Sequence, residues 1–263
     1  MEFRAGLPGD KLSWTVVSSY LRCPYCCYLE YVESEGRGAA PINFPIGSGV
    51  HGGFEAARIA LKQGVSANPA KLVQIALPFA LEAYEEALQA PGRAYTEDEA
   101  AEGYELVHWA VKGSVGAVAE EQDLWPGFRI QQVERWLDYG AMFPFKFSGK
   151  ADLIMGNDID GPGMVRDLKT ASSTKKMDEW ERMQMAVYAL PFAKPGKSMC
   201  VGVDRITLTT QEPRLHRYDD TVTYDEIMSV YDRVLAVAEA MEAGRWPMAA
   251  KRQWTCLPEH PKS

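Results

Sequence analysis

The chain has 263 residues, of which 46% are hydrophobic and 24% are charged, a composition typical of a globular protein and too apolar for a disordered one. No apolar run reaches the roughly 18 residues that a membrane-spanning helix needs, so we expect no membrane partner. The net charge of −8, from 36 acidic and 28 basic residues, disfavours nucleic-acid binding through a broadly basic surface. Any such binding would depend on a local basic channel or on metal ions held by carboxylates.

The N-terminal half of the chain predicts helices, because apolar residues recur at three- and four-residue spacing from residue 13 to about residue 121. Ser13 and Thr15 are candidate caps of a first helix, and Pro24 ends or restarts it. Further helices are predicted over 46–63, 69–90 and 96–121.

The pattern changes after residue 127, where short segments rich in β-branched and aromatic residues alternate with turn residues. Strands are predicted over 128–139, 142–155, 164–169, 200–210 and 213–220, and helices over 177–194 and 224–244. This order predicts an α/β (α+β) fold, a mixed central sheet flanked by helices with a helical N-terminal addition. We expect a single domain over 1–263, with a helical part at about 13–121, a catalytic core at about 122–245 and an irregular tail at 246–263.

The segments FSGKADLIM and MVRDLKT contain the most informative polar residues of the chain. Side chains alternate along a strand, so Asp167 and Lys169 share one face while Leu168 faces the core. If the two segments pair as a hairpin, Asp152 lies beside them. Two carboxylates and a lysine on one face indicate a site for a divalent cation and a charged partner. The alternative is an ordinary surface ion pair between Asp167 and Lys169.

Other polar residues converge on the same predicted site. Glu134 lies in the preceding strand, and Gln184 and Tyr188 are four residues apart and share a helix face. His51 stands among glycines near a helix start, where a neutral imidazole is a candidate ligand or phosphate contact. A helix-terminal histidine with no special role is the alternative.

Taken in order, these residues resemble the RecB-like branch of the PD-(D/E)xK nuclease superfamily, including its CRISPR-adaptation and phage exonuclease types, over roughly residues 13–190. The matching residues are Tyr20, Cys23 and Pro24; Gly47 and His51; Glu134; Gly149 and Asp152; Asp167, Lys169 and Thr170; and Gln184 and Tyr188. The resemblance implies a restriction-endonuclease-like fold that hydrolyses DNA with Mg²⁺ or Mn²⁺. It implies an exonuclease acting on single-stranded ends in recombination, repair or phage DNA metabolism, in a bacterium or encoded by a phage. The five cysteines, an odd number that fits poorly with a disulfide framework, predict reduced thiols and a cytoplasmic setting.

The resemblance also assigns roles to individual residues. It implies that His51, Asp152, Asp167 and the backbone carbonyl of Leu168 hold the metal, and that Lys169 acts on the attacking water. Glu134 completes the catalytic group with Asp152, Asp167 and Lys169. The remaining residues would support the site or bind the substrate: Gln184, Tyr188, Thr170 and Lys150.

The cysteines are treated separately, because many nucleases of this branch carry an iron–sulfur cluster on one cysteine before a proline and three near the C-terminus. Cys23 and Cys256 match two of those positions, but no further cysteine follows before Ser263. A cluster usually requires four thiolates, so we expect none here. Zinc held by Cys23, Cys256, Cys26 and His260 remains chemically possible.

Two alternative functions stay open beside the metal-dependent nuclease. The first is a catalytically silent protein on the nuclease fold that binds DNA or a protein partner. The second is a thiol oxidoreductase, because CPYC at 23–26 matches a glutaredoxin motif. That motif needs a strand directly before it, whereas the preceding SSYLR predicts a helix.

Overall fold

The computed structural model describes residues 11–33, 42–90, 95–157, 161–171, 173–208 and 213–247. Cys256 and His260 lie outside these ranges, as does most of the predicted C-terminal tail. None of the described helices is long and apolar enough to cross a membrane.

The helices follow the predicted order. They are α1 (Trp14–Arg22), α2 (Pro24–Tyr28), α3 (Asn43–Lys62), α4 (Pro69–Leu88), α5 (Glu97–Ser114), α6 (Glu121–Leu124), α7 (Glu179–Ala189) and α8 (Tyr224–Glu242). Shorter turns of other helical types cover Leu29–Glu33, Val115–Glu120 and Leu190–Phe192.

Local sequence explains where several of these helices begin. Asn68 caps α4 by accepting a hydrogen bond from the Lys71 N–H at 3.1 Å, and Pro69 occupies the first helical position. Three later helices start with a capping box, in which a Thr or Asp and the Glu three residues on satisfy each other's backbone N–H groups. These pairs are Thr96 with Glu99, Asp178 with Glu181, and Thr223 with Glu226.

The strands form a central sheet of five and a separate pair. They are β1 (Leu12–Ser13), β2 (Arg129–Trp136), β3 (Phe147–Ser148), β4 (Lys150–Asn157), β5 (Gly161–Ala171), β6 (Ser198–Thr207) and β7 (Leu215–Thr223). The order in the main sheet is β2-β4-β5-β6-β7, and only the β5–β6 pair is parallel. The predicted mixed sheet flanked by helices is therefore confirmed.

The sheet separates two hydrophobic clusters, and alternation along each strand divides the apolar side chains between them. Leu153 and Leu168 belong to the cluster that α3, α4 and α5 complete, whereas Ile154 and Val165 belong to the cluster under α1, α7 and α8. Strand β5 therefore lies in the middle of the sheet with both faces covered.

The prediction of one strand over 142–155 is wrong in its first part. Residues 142–146 form no strand, and the chain enters the sheet only at β3 and β4. Pro144 has no N–H to donate to a ladder, while Phe143 and Phe145 are buried and stack on each other with ring centroids 5.2 Å apart. Aromatic packing, rather than strand pairing, accounts for the apolar residues here. β1 was not predicted, and it pairs in parallel with β3.

A buried ionic network joins α3 to the sheet. Arg58 of α3 contacts Glu121 at 2.8 Å and Asp204 of β6 at 2.6 Å, and Arg166 of β5 contacts Asp204 at 2.6 Å and also Asp219 of β7. The first four side chains are at most 2% exposed. Burial opposes the charge of Asp204, but the two guanidinium groups outweigh it and hold the pKa of Asp204 below its ordinary value.

We predict that Asp204→Asn lowers the free energy of unfolding at pH 7 by about 3 kcal/mol, because the amide leaves two buried guanidinium groups under-compensated. Asp219→Asn is the matched control and should cost less than about 1 kcal/mol, since its carboxylate is half exposed. Denaturant unfolding across pH measures both.

The contribution of Asp204 should be fully present above its unfolded-state pKa of about 3.9 and decline as the pH falls further towards the lowered folded-state pKa. If the Asp204→Asn variant were as stable as the native chain at pH 7, the ionic network would not stabilise the packing of α3 on the sheet.

Candidate active site

The first polar residues of the site lie on β5, the middle strand of the five-stranded sheet. Asp167 is buried, and its Oδ2 lies 2.6 Å from Nζ of Lys169, two residues along the same face. Leu168 between them is 1% exposed and packs in the cluster beneath α3. The predicted alternation of these three residues is confirmed.

The neighbouring strand β4 supplies Asp152. Register pairs Leu153 with Arg166, so Asp152 comes level with Asp167 on the antiparallel partner. Its Oδ2 accepts a hydrogen bond from the N–H of Leu168 at 2.5 Å. Two buried carboxylates thus lie on adjacent strands in the middle of the sheet.

Glu134 reaches the site through an unusual backbone conformation. It is the only non-glycine residue of the described ranges with a positive φ, 50°, and it lies within β2 beside β4. Such a conformation costs about 1–3 kcal/mol for a residue with a Cβ. Its Oε1 lies 3.7 Å from Nδ1 of His51, and its Oε2 pairs with Nζ of Lys150 at 2.5 Å.

Helix α3 supplies His51, which lies beside Asp152 and Glu134. Its Nδ1 lies 3.5 Å from Oδ2 of Asp152, and one donor atom each from His51, Glu134 and Asp152 lie within 4.8 Å of one another. This three-residue group includes Glu134 rather than Asp167. Asp167 lies beside the group, tied to Lys169.

The electrostatics of the site follow from burying several charges together. Burial disfavours the protonated form of His51, but the negative charges of Asp152 and Glu134 favour it more strongly and raise the pKa of His51 to about 10. Burial raises the pKa of Asp167 to about 6, against the stabilising charge of Lys169. Burial also opposes the charge of Lys169, yet Asp167 keeps the pKa of that lysine above its ordinary value. The lysine is therefore a cation at neutral pH.

The two predicted helix residues of α7 meet the site as a hydrogen-bonded pair. Oε1 of Gln184 accepts from Nζ of Lys169 at 3.1 Å, and Nε2 of Gln184 donates to the Tyr188 hydroxyl at 2.8 Å and towards Oδ1 of Asp167 at 3.5 Å. Gln184 thus restricts both the lysine and the carboxylate. Tyr188 is buried, which raises the pKa of its hydroxyl.

An open cavity of about 550 Å³ gives access to this group. Thr170 and Lys150 line it, together with His51, Glu134 and Asp152. Sequence reasoning missed another lining residue, Glu55, which lies one helical turn after His51 and is half buried. The H-x-x-x-E spacing on a predicted helix was the signal that would have found it.

The donor atoms fit a divalent cation. Carboxylate oxygens with one imidazole nitrogen suit Mg²⁺ or Mn²⁺, which prefer hard oxygen ligands. Oδ2 of Asp167 is buried and accepts no hydrogen bond with good geometry within the described ranges, although Nζ of Lys169 is near. A buried oxygen of this kind retains lone pairs for a metal.

The cysteine motif lies in a different environment from that of a glutaredoxin. Cys23 and Cys26 place their Sγ atoms 2.7 Å apart at the start of α2. Helix α1 ends at Arg22, directly before the motif, so the strand that a redox C-x-x-C motif follows is replaced by a helix. Cys256, the other candidate cluster ligand, lies outside the described residues.

Comparisons with known proteins place the chain in a family. No curated protein matches it. One solved structure that resembles it, described as the crystal structure of SSO0001, is 14% identical over 86% of this chain and 84% of that chain, with a TM-score of 0.29. That similarity is too low to support a statement about fold or function. The family model of the PD-(D/E)XK nuclease superfamily matches residues 11–258. The chain belongs to the PD-(D/E)XK nuclease superfamily.

Proposed function

We propose that this nuclease is a divalent-metal-dependent deoxyribonuclease of the RecB-like branch that acts as an exonuclease on single-stranded ends. One observation carries the proposal: the donor atoms of His51, Glu134 and Asp152 converge within 4.8 Å, next to the Asp167–Lys169 pair and open to a cavity. Nucleases of this superfamily use divalent metals, and the donor set suits them.

The ligands we assign to the metal are His51, Glu134, Asp152 and Asp167, with the Leu168 carbonyl. When bound, a divalent cation polarises a phosphodiester and lowers the pKa of a coordinated water. Nδ1 of His51 lies 3.7 Å from Oε1 of Glu134 and 3.5 Å from Oδ2 of Asp152. An imidazole must be neutral to bind a metal, so metal binding should strengthen as the pH rises.

We assign to Lys169 the role of stabilising the negative charge that develops on the phosphate during hydrolysis. Its ammonium is fixed between Oδ2 of Asp167 at 2.6 Å and Oε1 of Gln184 at 3.1 Å. Asp167 keeps the pKa of Lys169 above its ordinary value, which favours the ammonium form. In this form Lys169 orients the attacking water and stabilises charge on the phosphoryl oxygens.

Supporting roles follow from the same contacts. Gln184 positions Lys169, and Tyr188 holds Gln184 in turn. Lys150, now paired with Glu134 at 2.5 Å, and Thr170 line the cavity where the substrate backbone would lie. The carboxylates at the site contribute to the net charge of −8, and metal ions on them would attract a phosphate that the whole protein repels.

The preference for DNA, for single-stranded ends and for exonuclease action rests on the resemblance of residues 13–190 to the RecB-like branch. The same resemblance supports a role in recombination, repair or phage DNA metabolism, in a bacterium or encoded by a phage, and the odd number of cysteines supports a cytoplasmic setting. A silent binding protein on this fold is less well supported, because Asp152, Asp167 and Lys169 are all present. Lys169 pairs with Asp167, and Asp152 accepts a hydrogen bond from the N–H of Leu168 between them.

We predict that Lys169→Ala lowers the rate of DNA cleavage by at least about a hundredfold while metal affinity changes little, because the lysine stabilises charge and is not a ligand. Asp152→Asn should weaken metal binding as well as cleavage, since a neutral amide replaces a charged oxygen ligand. Cleavage of labelled DNA in Mg²⁺, Mn²⁺ or EDTA, with metal titration and thermal midpoints, measures these effects.

Lys175→Ala is the matched control for this series. Lys175 is exposed, pairs with Asp178 at 2.7 Å and lies outside the hydrogen-bond network of Lys169, so its removal should leave cleavage unchanged. If a folded Lys169→Ala variant cleaved DNA at the wild-type rate, the Asp167–Lys169 contact would be an ordinary ion pair with no catalytic role.

We also predict that cleavage needs a free end. An exonuclease that admits a single strand should degrade linear single-stranded DNA and leave covalently closed single-stranded circles almost intact. Circles opened by a single cut supply the control of equal sequence and length. Comparable rates on closed and opened circles would contradict exonuclease action and leave metal-dependent hydrolysis in place.

A further inference from the structure

An exposed aromatic side chain lies in the wall of the catalytic cavity. Phe44, on the first turn of α3, is 48% exposed and lines the cavity with His51, Glu134 and Asp152. Single exposed apolar residues are common on protein surfaces. This one differs because its ring borders a polar cavity that holds the candidate metal ligands.

Helix geometry fixes where this ring lies relative to the metal ligands. Residues 44, 48, 51 and 55 are spaced by four, three and four, so they form one stripe of α3, and all four line the cavity. Phe44 and His51 are therefore about two turns apart, or about 10 Å along the helix axis. A nucleotide with its phosphate at His51 and Asp152 can bring a base near this ring.

We propose that Phe44 is a stacking platform for a nucleobase next to the scissile phosphate. This inference rests on the proposed nuclease function and adds a base-binding subsite to it. Every base has a π-face, so stacking on an aromatic ring tolerates all sequences. Bases inside a duplex already stack on their neighbours, so the subsite selects nucleotides that are unpaired.

The polar side chains near Phe44 suit a nucleotide. Asn43 and Ser48 of the cavity wall are uncharged, and His51 and Lys150 are the basic residues that line the same cavity among the described residues, beside three carboxylates. The phosphate therefore has a metal site and a cation on one side, and the base has an aromatic ring on the other.

An adjoining groove contains a similar ring, but the described residues that line the groove include no lysine, arginine or histidine. Phe79 of α4 is 54% exposed and lines a groove of about 580 Å³ between α3 and α4. The charged residues that line this groove are Glu55, Glu82 and Glu86. Without His51 or Lys150 beside them, these carboxylates repel a phosphate backbone, so Phe79 is a matched control of comparable exposure on the same surface.

The test measures cleavage of single-stranded oligothymidylate in Mg²⁺, with single abasic nucleotides placed at successive positions from the end. We expect Phe44→Ala to lower kcat/KM roughly tenfold on the intact oligonucleotide, in line with the loss of one base–aromatic stack. Phe44→Trp should retain activity, and Phe79→Ala should match the wild type. Unchanged thermal midpoints show that the variants are folded.

The decisive result is non-additivity. At one abasic position the wild type should lose about as much activity as Phe44→Ala loses on intact DNA, and Phe44→Ala should lose nothing more there. Equal activity of Phe44→Ala and the wild type, or fully additive losses at every abasic position, would overturn the stacking subsite alone. A wild-type protein that cleaves no DNA in Mg²⁺ or Mn²⁺ would overturn the nuclease proposal and this inference with it.

Discussion

The structure depends on one constraint, the burial of two carboxylates side by side on adjacent central strands. Asp152 and Asp167 repel each other in a medium where charge is poorly screened. Their surroundings compensate: the Leu168 N–H and His51 face Asp152, and Lys169 faces Asp167. Burial still raises the pKa of Asp167 to about 6. The raised pKa shows that the negative charge of Asp167 is only partly compensated, so a bound divalent cation would stabilise it.

The rest of the fold supports this site by holding α3 in a fixed position against the sheet. His51 points to the carboxylates, and Arg58, two turns later, enters the buried network with Glu121 and Asp204. One helix thus joins the candidate ligand His51 to a buried ionic network on the face of the sheet that α3 covers. The positive φ of Glu134 is consistent with this account, because strained backbone persists where surrounding structure over-determines it.

The sequence predicted the fold class, the helix order and the alternation around Leu168, since these follow from local periodicity, capping residues and strand alternation. It did not predict β1, which forms only through long-range pairing with β3. It named His51, Asp152 and Asp167 as metal ligands and Glu134 as a further member of the site, and the structure brings donor atoms of His51, Glu134 and Asp152 within 4.8 Å of one another. The φ of 50° at Glu134 cannot be foreseen from strand alternation. Glu55 was missed although its spacing from His51 indicates a shared helix face. Phe44 was missed because helical spacing alone does not show how far along α3 the cavity extends.

The most direct test of the account is a crystal of the protein soaked in Mn²⁺, with an anomalous difference map collected near the manganese edge. The account predicts a peak bounded by Nδ1 of His51 and the carboxylates of Asp152 and Glu134, with Asp167 at its border, and its loss in Asp152→Asn. A map with no peak there from crystals of protein that cleaves DNA in Mn²⁺, or a peak only among other residues, would contradict the assignment of this group as the metal centre.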